Sequence, residues 1–208
     1  MNTSERLVTA AAELLDAGGE AAVTLRAVGS AIGVSHNAPY KHFVSRDDLL
    51  AAVATSDFRT VADAWKQIRK SVLKPNQRLL DALDVVIRFS QDHPARYRLL
   101  FNSPAIAARG GPLTSAADEA LSVFAAIVED GQAAGVFPAA PSDHLAVLIF
   151  ATAHGLIDAD ASGRLRTRTG WAEIGTGLQI LVRLLSNDRS HVASGQARRR
   201  RPGRLERD

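Results

Sequence analysis

The sequence has no cysteine, which excludes a disulfide framework, a thiolate metal site and a thiol nucleophile, and fits a reducing cytoplasm. A membrane-spanning run is missing as well. The longest near-apolar stretch, Leu145 to Ile157, is interrupted by His154 and falls short of the roughly 18 residues that a span requires, so no membrane partner is expected. Near the N-terminus Glu5, Arg6 and Glu13 break up the apolar residues, leaving no signal-peptide core. Sustained alternation of apolar and polar residues, the mark of a half-buried strand, does not occur, and no repeat period is evident.

The body also lacks an excess of positive charge, despite a whole-chain value of +3 and an isoelectric point near 9.7. Residues 189–208 carry seven of the 25 basic residues and two of the 22 acidic ones, so residues 1–188 hold 18 basic against 20 acidic side chains. A nucleic-acid reading therefore has to rest on where particular side chains sit, because bulk electrostatics gives it little support. What is present, 46% hydrophobic and 23% charged over 208 residues, suffices for a packed core and permits a compact module followed by a larger one.

Apolar residues recur at three- and four-residue steps from end to end, so the expected fold class is all-α, with about nine helices. Leu7, Ala11, Leu14 and Leu15 form one face of a first helix that stops at Gly18-Gly19. A second starts from Thr24 as N-cap and presents Leu25, Val28 and Ile32 before Gly33. Only Val34 and Ser35 separate it from a third, which carries Tyr40 and Phe43. Two short helices joined so tightly cross steeply, as in a helix-turn-helix. Ser45 and Asp48 then match a capping box, opening a long fourth helix whose buried stripe, Leu50, Ala54, Phe58, Val61, Trp65 and Ile68, runs toward Lys74-Pro75. Further helices are expected over 76–92, 94–102, 113–134, 142–160 and 171–186, divided by proline and glycine clusters. From Ser186 onward apolar spacing is lost, and residues 189–208 read as a disordered basic tail.

Thr24 to Ser35 (TLRAVGSAIGVS), followed by Ala38-Pro39-Tyr40-Lys41-His42-Phe43 and Arg46-Asp47-Asp48-Leu49-Leu50, closely resembles the DNA-binding half of tetracycline-repressor-like (TetR) regulators, over about 50 residues without a gap. Pro94 to Phe101 (PARYRLLF) and Phe150 to Gly155 (FATAHG) resemble the Trp-His-Gly subgroup of C-terminal domains in that family, with Phe150 standing where the subgroup has tryptophan. The resemblance implies a helix-turn-helix DNA-binding domain over 1–48 and a helical effector-binding and dimerisation domain over 49–188. It further implies a cytoplasmic, nucleoid-associated repressor that binds operator DNA as a homodimer.

Chemistry gives the same residues matching roles. A recognition helix leads into the major groove with its N-terminal end, here His36, Asn37 and Ala38. Asparagine pairs with adenine through two hydrogen bonds, histidine donates or accepts at a base edge, and an alanine methyl meets a thymine methyl. Tyr40, Lys41 and His42 lie one turn on, where hydroxyl and cationic groups meet phosphate, and the resemblance places Tyr40 on the backbone. Thr24 and Arg46 sit at helix N-termini, whose N–H groups favour a phosphate oxygen, while Arg26 and Ser35 complete the DNA-facing set. Thr24 and Ser45 are caps in any case, and Tyr40 has core packing as its alternative. Pro39 is awkward: if Ser35 is the N-cap, it falls past the free first turn and removes a helical hydrogen bond, so an irregular helix start is expected.

In the last helix Trp171, Ile174, Leu178, Leu181 and Leu185 share a face, with Ile180, Val182 and Leu184 on others, and 145–157 is apolar almost all round. Helices without a polar face need burial on every side, which suggests a subunit interface built from 142–160 and 171–186. The aromatic residues Phe58, Trp65, Phe89, Tyr97, Phe101, Phe124 and Phe150 are candidates for lining an effector pocket, with His154 and Asp158 as its polar groups. Packing into the core is the alternative for each. Two potential ligands without a third make no metal site, and no ordered catalytic motif points to an enzyme, so neither a metal nor a cofactor is expected. Two competing functions remain: a helical small-molecule binder or enzyme that has lost operator binding, and an architectural protein acting through the arginine tail.

Overall fold

The computed structural model describes residues 1–165 and 173–186. Trp171 and the basic tail over 189–208 lie outside the described residues. Among the described residues there are nine α-helices, two single 3-10 turns and no strand. The helices are α1 (Thr3–Gly18), α2 (Leu25–Ala31), α3 (Arg46–Lys70), α4 (Pro75–Asp92), α5 (Pro94–Phe101), α6 (Pro104–Ala107), α7 (Pro112–Ala133), α8 (Ser142–Ala161) and α9 (Ile174–Leu185). The fold is all-α.

Local chemistry sets most of the boundaries. Asn2 and Glu5 exchange side-chain-to-backbone hydrogen bonds of 2.9 Å in a capping box that starts α1. Proline opens α4, α5, α6 and α7, where its missing N–H costs nothing because the first-turn donors have no helical acceptor. The long α3 ends at Lys70, one turn short of the expected Lys74, because Ser71 is extended and its hydroxyl donates to the Ile68 carbonyl at 2.7 Å. The one-turn α6 is not expected from the sequence, being too short to show a period.

The third helix expected after Ser35 is absent. Residues 36 and 37 form a turn, and Pro39–Lys41 makes a single 3-10 turn. Proline is the reason. Without an N–H it cannot continue an α-helical ladder from Ser35, so the chain tightens from Ala38 N–H to Ser35 C=O at 2.9 Å and resets at Pro39, whose carbonyl accepts from His42 and Phe43.

Two apolar cores share α3. The first gathers Leu7 and Leu15 from α1, Val23, Val28 from α2, and Leu49 and Leu50 from α3, all with no exposed surface, and Leu99, Ile106 and Leu113 close it from the other side. The second packs Trp65 against Leu79 and Leu83 of α4, Phe124 and Ile127 of α7, Ile149 of α8 and Leu178 of α9. Each fully buried side chain of this size contributes roughly 1.5–3 kcal/mol by leaving water. The single helix α3 runs from one core into the other.

Over its full length α8 is long and apolar enough to cross a membrane, more so than the stretch from Leu145 to Ile157 alone. In the fold it is a core helix, burying Leu145, Ala146, Ile149, Ala153 and Ile157 against its neighbours. Its opposite side leaves Val147 and Leu148 exposed, and α9 likewise exposes Ile180 and Leu184. The inner face of α9 is Ile174, Leu178 and Val182, with Leu181 and Leu185 partly buried at its margin; Val182 thus belongs to the core and not to an outward face.

Candidate functional site

The segment from Thr24 to Arg46 is held by a small set of backbone contacts. At the end of α2, Gly33 takes a left-handed φ of 72° and bonds Ser30 C=O at 3.1 Å, while Val34 N–H reaches Gly29 C=O at 3.0 Å, the pairing of a Schellman stop. Pro39 then packs directly on Gly29, where an added Cβ would come within 2.8 Å of the proline ring. Arg6 of α1 ties the junction down by donating to Ile32 C=O at 2.9 Å. The result is a buried hinge with an exposed rim: Ser35, His36, Asn37, Tyr40, Lys41 and His42 face outward, as do Thr24 and Arg26, with Ala38 half-buried. Tyr40 is 58% exposed, so its ring is not part of the core.

Both cap assignments are observed, Thr24 Oγ1 accepting from Ala27 N–H at 3.0 Å and Ser45 Oγ from Asp48 N–H at 3.1 Å. Arg46 is differently engaged from a free phosphate clamp. Its guanidinium donates to Val23 C=O at 2.8 Å and Glu20 C=O at 2.5 Å, which pins the start of α3 to the turn before α2. Asp48 is bound by the Ser45 hydroxyl at 2.8 Å and by Arg109 from the loop before α7.

The second feature is an apolar cleft of about 620 Å³ between α3, the end of α5, α7 and α8. Phe58, Trp65, Phe101, Phe150, His154 and Asp158 line it, as the sequence suggests. Three expected aromatics do not. Phe124 has no exposed surface and lies behind the lining, 5.1 Å from Trp65 and 5.4 Å from Phe150 between ring centroids. Phe89 packs on His93 and under Arg96, and Tyr97 is 4% exposed with its hydroxyl 2.5 Å from His154 Nδ1. Sequence reading missed Asn102, Leu121 and Val147, and also the small residues that make the space: Ala117 and Ala120 on α7, Ala151 and Gly155 on α8. Small residues three or four apart on facing helices are the signal that finds them. A larger groove of about 750 Å³ beside α1 is ringed by Glu5, Asp48, Arg59 and Arg109 and is the more polar of the two.

His154 is the polar centre of the cleft. Its ring sits 4.3 Å from the centroids of both Phe101 and Phe150, and burial pushes its pKa down to about 4, with Asp158 pulling weakly the other way. Burial also raises the Tyr97 hydroxyl above its ordinary range. His154 is therefore neutral at physiological pH.

Family comparison connects these two features. A model described as bacterial regulatory proteins, tetR family, matches residues 7–53, and one described as Tetracyclin repressor-like, C-terminal domain, matches residues 79–182, so that together they span well over half of the chain. The chain belongs to the TetR family. Three solved structures show the fold shared by this TetR-family regulator. A protein of unknown function from Rhodococcus sp. RHA1 is 24% identical with a TM-score of 0.74, over 89% of this chain and 94% of that one. A putative transcriptional regulator from Saccharomonospora viridis, in complex with choline, is 18% identical with a TM-score of 0.70, over 88% and 96%. RolR, in complex with its ligand resorcinol, is 19% identical with a TM-score of 0.66, over 97% and 95%. No curated protein matches the chain.

In this TetR-family regulator the two features are joined through α5. Arg96 donates from Nε to Asp57 of α3 at 3.0 Å, makes a second bond to the same carboxylate through Nη2, and reaches Asp16 of α1 at 3.2 Å. His93 Nδ1 lies 2.8 Å from the same Asp16 oxygen, Oδ2. Asp57 is 2% exposed, and burial pushes its pKa up against the hydrogen bonds and charge of Arg96, which draw it down. Tyr97, next to Arg96, contacts His154 instead. One short helix thus reaches a residue that lines the cleft through Tyr97 and α1 through Arg96.

The neutral His154 has a consequence for acid stability. Its folded pKa of about 4 lies below the ordinary 6.5, so the unfolded chain binds more protons between those values. The stability from this group is intact above about pH 6.5 and falls as the pH drops toward 4, by roughly 2–3 kcal/mol. Denaturant unfolding at pH 7 and pH 4.5 checks it: His154→Phe should flatten the acid limb of the stability profile relative to the parent protein.

Proposed function

We propose that this TetR-family regulator is a repressor that binds a palindromic operator as a homodimer and is released when a small, largely apolar effector occupies the cleft beneath His154. The observation that carries the DNA reading is the rim from Ser35 to His42, whose polar side chains all face outward from a hinge fixed by Gly29, Gly33 and Pro39. His36, Asn37 and Ala38 read base edges, and Tyr40, Lys41 and His42 hold phosphates. Thr24, Arg26 and the first N–H groups of α3 at Arg46 flank them. Because the Arg46 guanidinium is engaged with the Val23 and Glu20 carbonyls, its contribution to phosphate binding is assigned to its backbone N–H.

Dimerisation is supported by the exposed apolar residues on α8 and α9: Leu148 is 65% exposed and Leu184 78%, on helices that otherwise build the core. Pairing these faces from two chains would remove them from water and present each phosphate contact twice, which offsets the slightly acidic body. We assign 1–48 to DNA reading and 49–188 to effector binding and dimerisation, with the second unit of the Trp-His-Gly type, His154 and Gly155 both lining its cleft. The effector reading is supported by the cleft itself and by relatives of the same fold that bind resorcinol or choline. An effector acts only through differential affinity, about 5.5 kcal/mol for a swing from mostly bound to mostly free. The contacts of α5 offer the route: a shift of Tyr97 or Phe101 by an occupant moves Arg96, and with it α1.

The test is a gel shift on the DNA beside the protein's own gene, at several salt concentrations, with the full chain and a chain ending at Asp188. Sequence-specific retardation should survive the truncation. Retardation that ignores sequence and disappears with residues 189–208 would favour an architectural role through the arginine tail. No retardation of any DNA would favour a small-molecule binder that has lost operator binding.

A further inference from the structure

We propose that the effector is a neutral, largely apolar molecule carrying an acceptor oxygen that accepts a hydrogen bond from His154 Nε2–H. This rests on the reading of the cleft as the effector site and adds the chemistry that the site selects.

The observation is an orphaned donor. Among the described residues, His154 Nε2 is fully buried and has no hydrogen-bond partner. Which proton it carries follows from its neighbour. The Tyr97 hydroxyl is 2.5 Å from Nδ1, and the phenol is 4% exposed with no other partner for that hydroxyl among the described residues. If the hydroxyl donates to Nδ1, both groups are satisfied and only Nε2–H is left over. With the opposite tautomer the phenol proton and the Nε2 lone pair would both be buried without partners, at the cost of a second unmade bond. The ring is neutral, its pKa held near 4 by burial, so one nitrogen carries a proton and the other does not. Tyr97 is thus a positioning residue that fixes Nε2 as a donor.

The surroundings narrow the occupant. Phe58, Trp65, Phe101 and Phe150 form the apolar walls, and no lysine or arginine lines the cleft among the described residues. An anion would find no counter-charge there and would face Asp158. A cation would meet Asp158 and the ring faces but would leave Nε2–H opposed to its charge. A neutral acceptor satisfies the buried donor at no such cost. The rings of Phe101 and Phe150 each lie 4.3 Å from the His154 ring between centroids, so an acceptor bound at His154 sits beside Phe101 of α5.

Calorimetric titration of the full chain with four probes tests this: acetophenone, its apolar counterpart isopropylbenzene, benzoate and benzyltrimethylammonium. Acetophenone should bind about tenfold more tightly than isopropylbenzene and more tightly than either ion. In His154→Phe the first two should bind alike. Nitrogen-15 spectra of the parent protein should show the Nε2–H tautomer at His154, and Tyr97→Phe should convert it to a mixture. Equal binding of acetophenone and isopropylbenzene to the parent protein, tighter binding of either ion, or an Nδ1–H tautomer would overturn the acceptor assignment while leaving the cleft an effector site. Binding of none of the four would overturn both.

Discussion

Replacing Arg96 with methionine should lower the free energy of unfolding by about 3–5 kcal/mol, because it leaves the Asp57 carboxylate buried and unpaired. Asp57 is 2% exposed and Arg96 is its partner through two bonds, so the carboxylate has little access to solvent once the guanidinium is gone. The loss has a pH signature. In the variant, burial raises the Asp57 pKa with no guanidinium to oppose it, so the folded state binds more protons than the unfolded one above the ordinary value of 3.8. Stability from a raised carboxyl is present below that value and is lost as the pH rises through the folded pKa. The deficit relative to the parent should therefore be greatest near neutrality and narrow toward pH 4. Denaturant melts at both pH values read this directly. Adding Asp57→Asn should restore much of the loss, since it removes the stranded charge; a deficit unchanged by the second substitution would show that Arg96 acts through packing alone. Because Arg96 also bridges to Asp16 of α1, the double variant should fold yet respond to effector differently from the parent.

Asn37→Ala should weaken operator binding by about 2–6 kcal/mol in the proposed dimer. A two-pronged asparagine–adenine pair discriminates by roughly 1–3 kcal/mol, and twofold symmetry presents it twice. The loss should fall on specific DNA, with binding to random sequence barely changed. Tyr40→Phe should behave in the opposite manner, weakening all sequences alike, because a phosphate contact fixes position without reading bases. Fluorescence anisotropy on operator and scrambled duplexes separates the two. If both substitutions left operator affinity unchanged, the assignment of the Ser35–His42 rim would be wrong.

Much of the fold is legible in the sequence because it depends on period. The stripe from Leu50 to Ile68 is the face of α3 that packs into both cores, and the cap at Thr24 and the proline-led starts at Pro94 and Pro112 mark real boundaries. What period cannot show is how a proline mid-element resolves. Pro39 announces an irregularity, but only its contact with Gly29 shows that the reading segment is a turn followed by one 3-10 turn. The cleft was half legible for a related reason. Aromatic residues announce bulk, and bulk lines a cleft or fills a core with equal ease: Phe101 and Phe150 line it, Phe124 stands behind it. The deciding residues are the small ones opposite, Ala117 and Gly155, which carry little signal alone. Least legible of all was the Asp16–Arg96–Asp57 network, whose bonded pairs are 80 and 39 positions apart in sequence and meet because α5 packs on both α1 and α3.

The central claim is that a symmetric pair of these rims reads one DNA site. Selection of bound duplexes from a random pool by the full chain tests it most directly. Enrichment is expected of an inverted repeat whose half-sites are centred about one helical turn, roughly 10 base pairs, or a multiple of it apart, with an adenine in each half that Asn37→Ala no longer demands. Enrichment of a sequence without twofold symmetry, or of none at all, would contradict it.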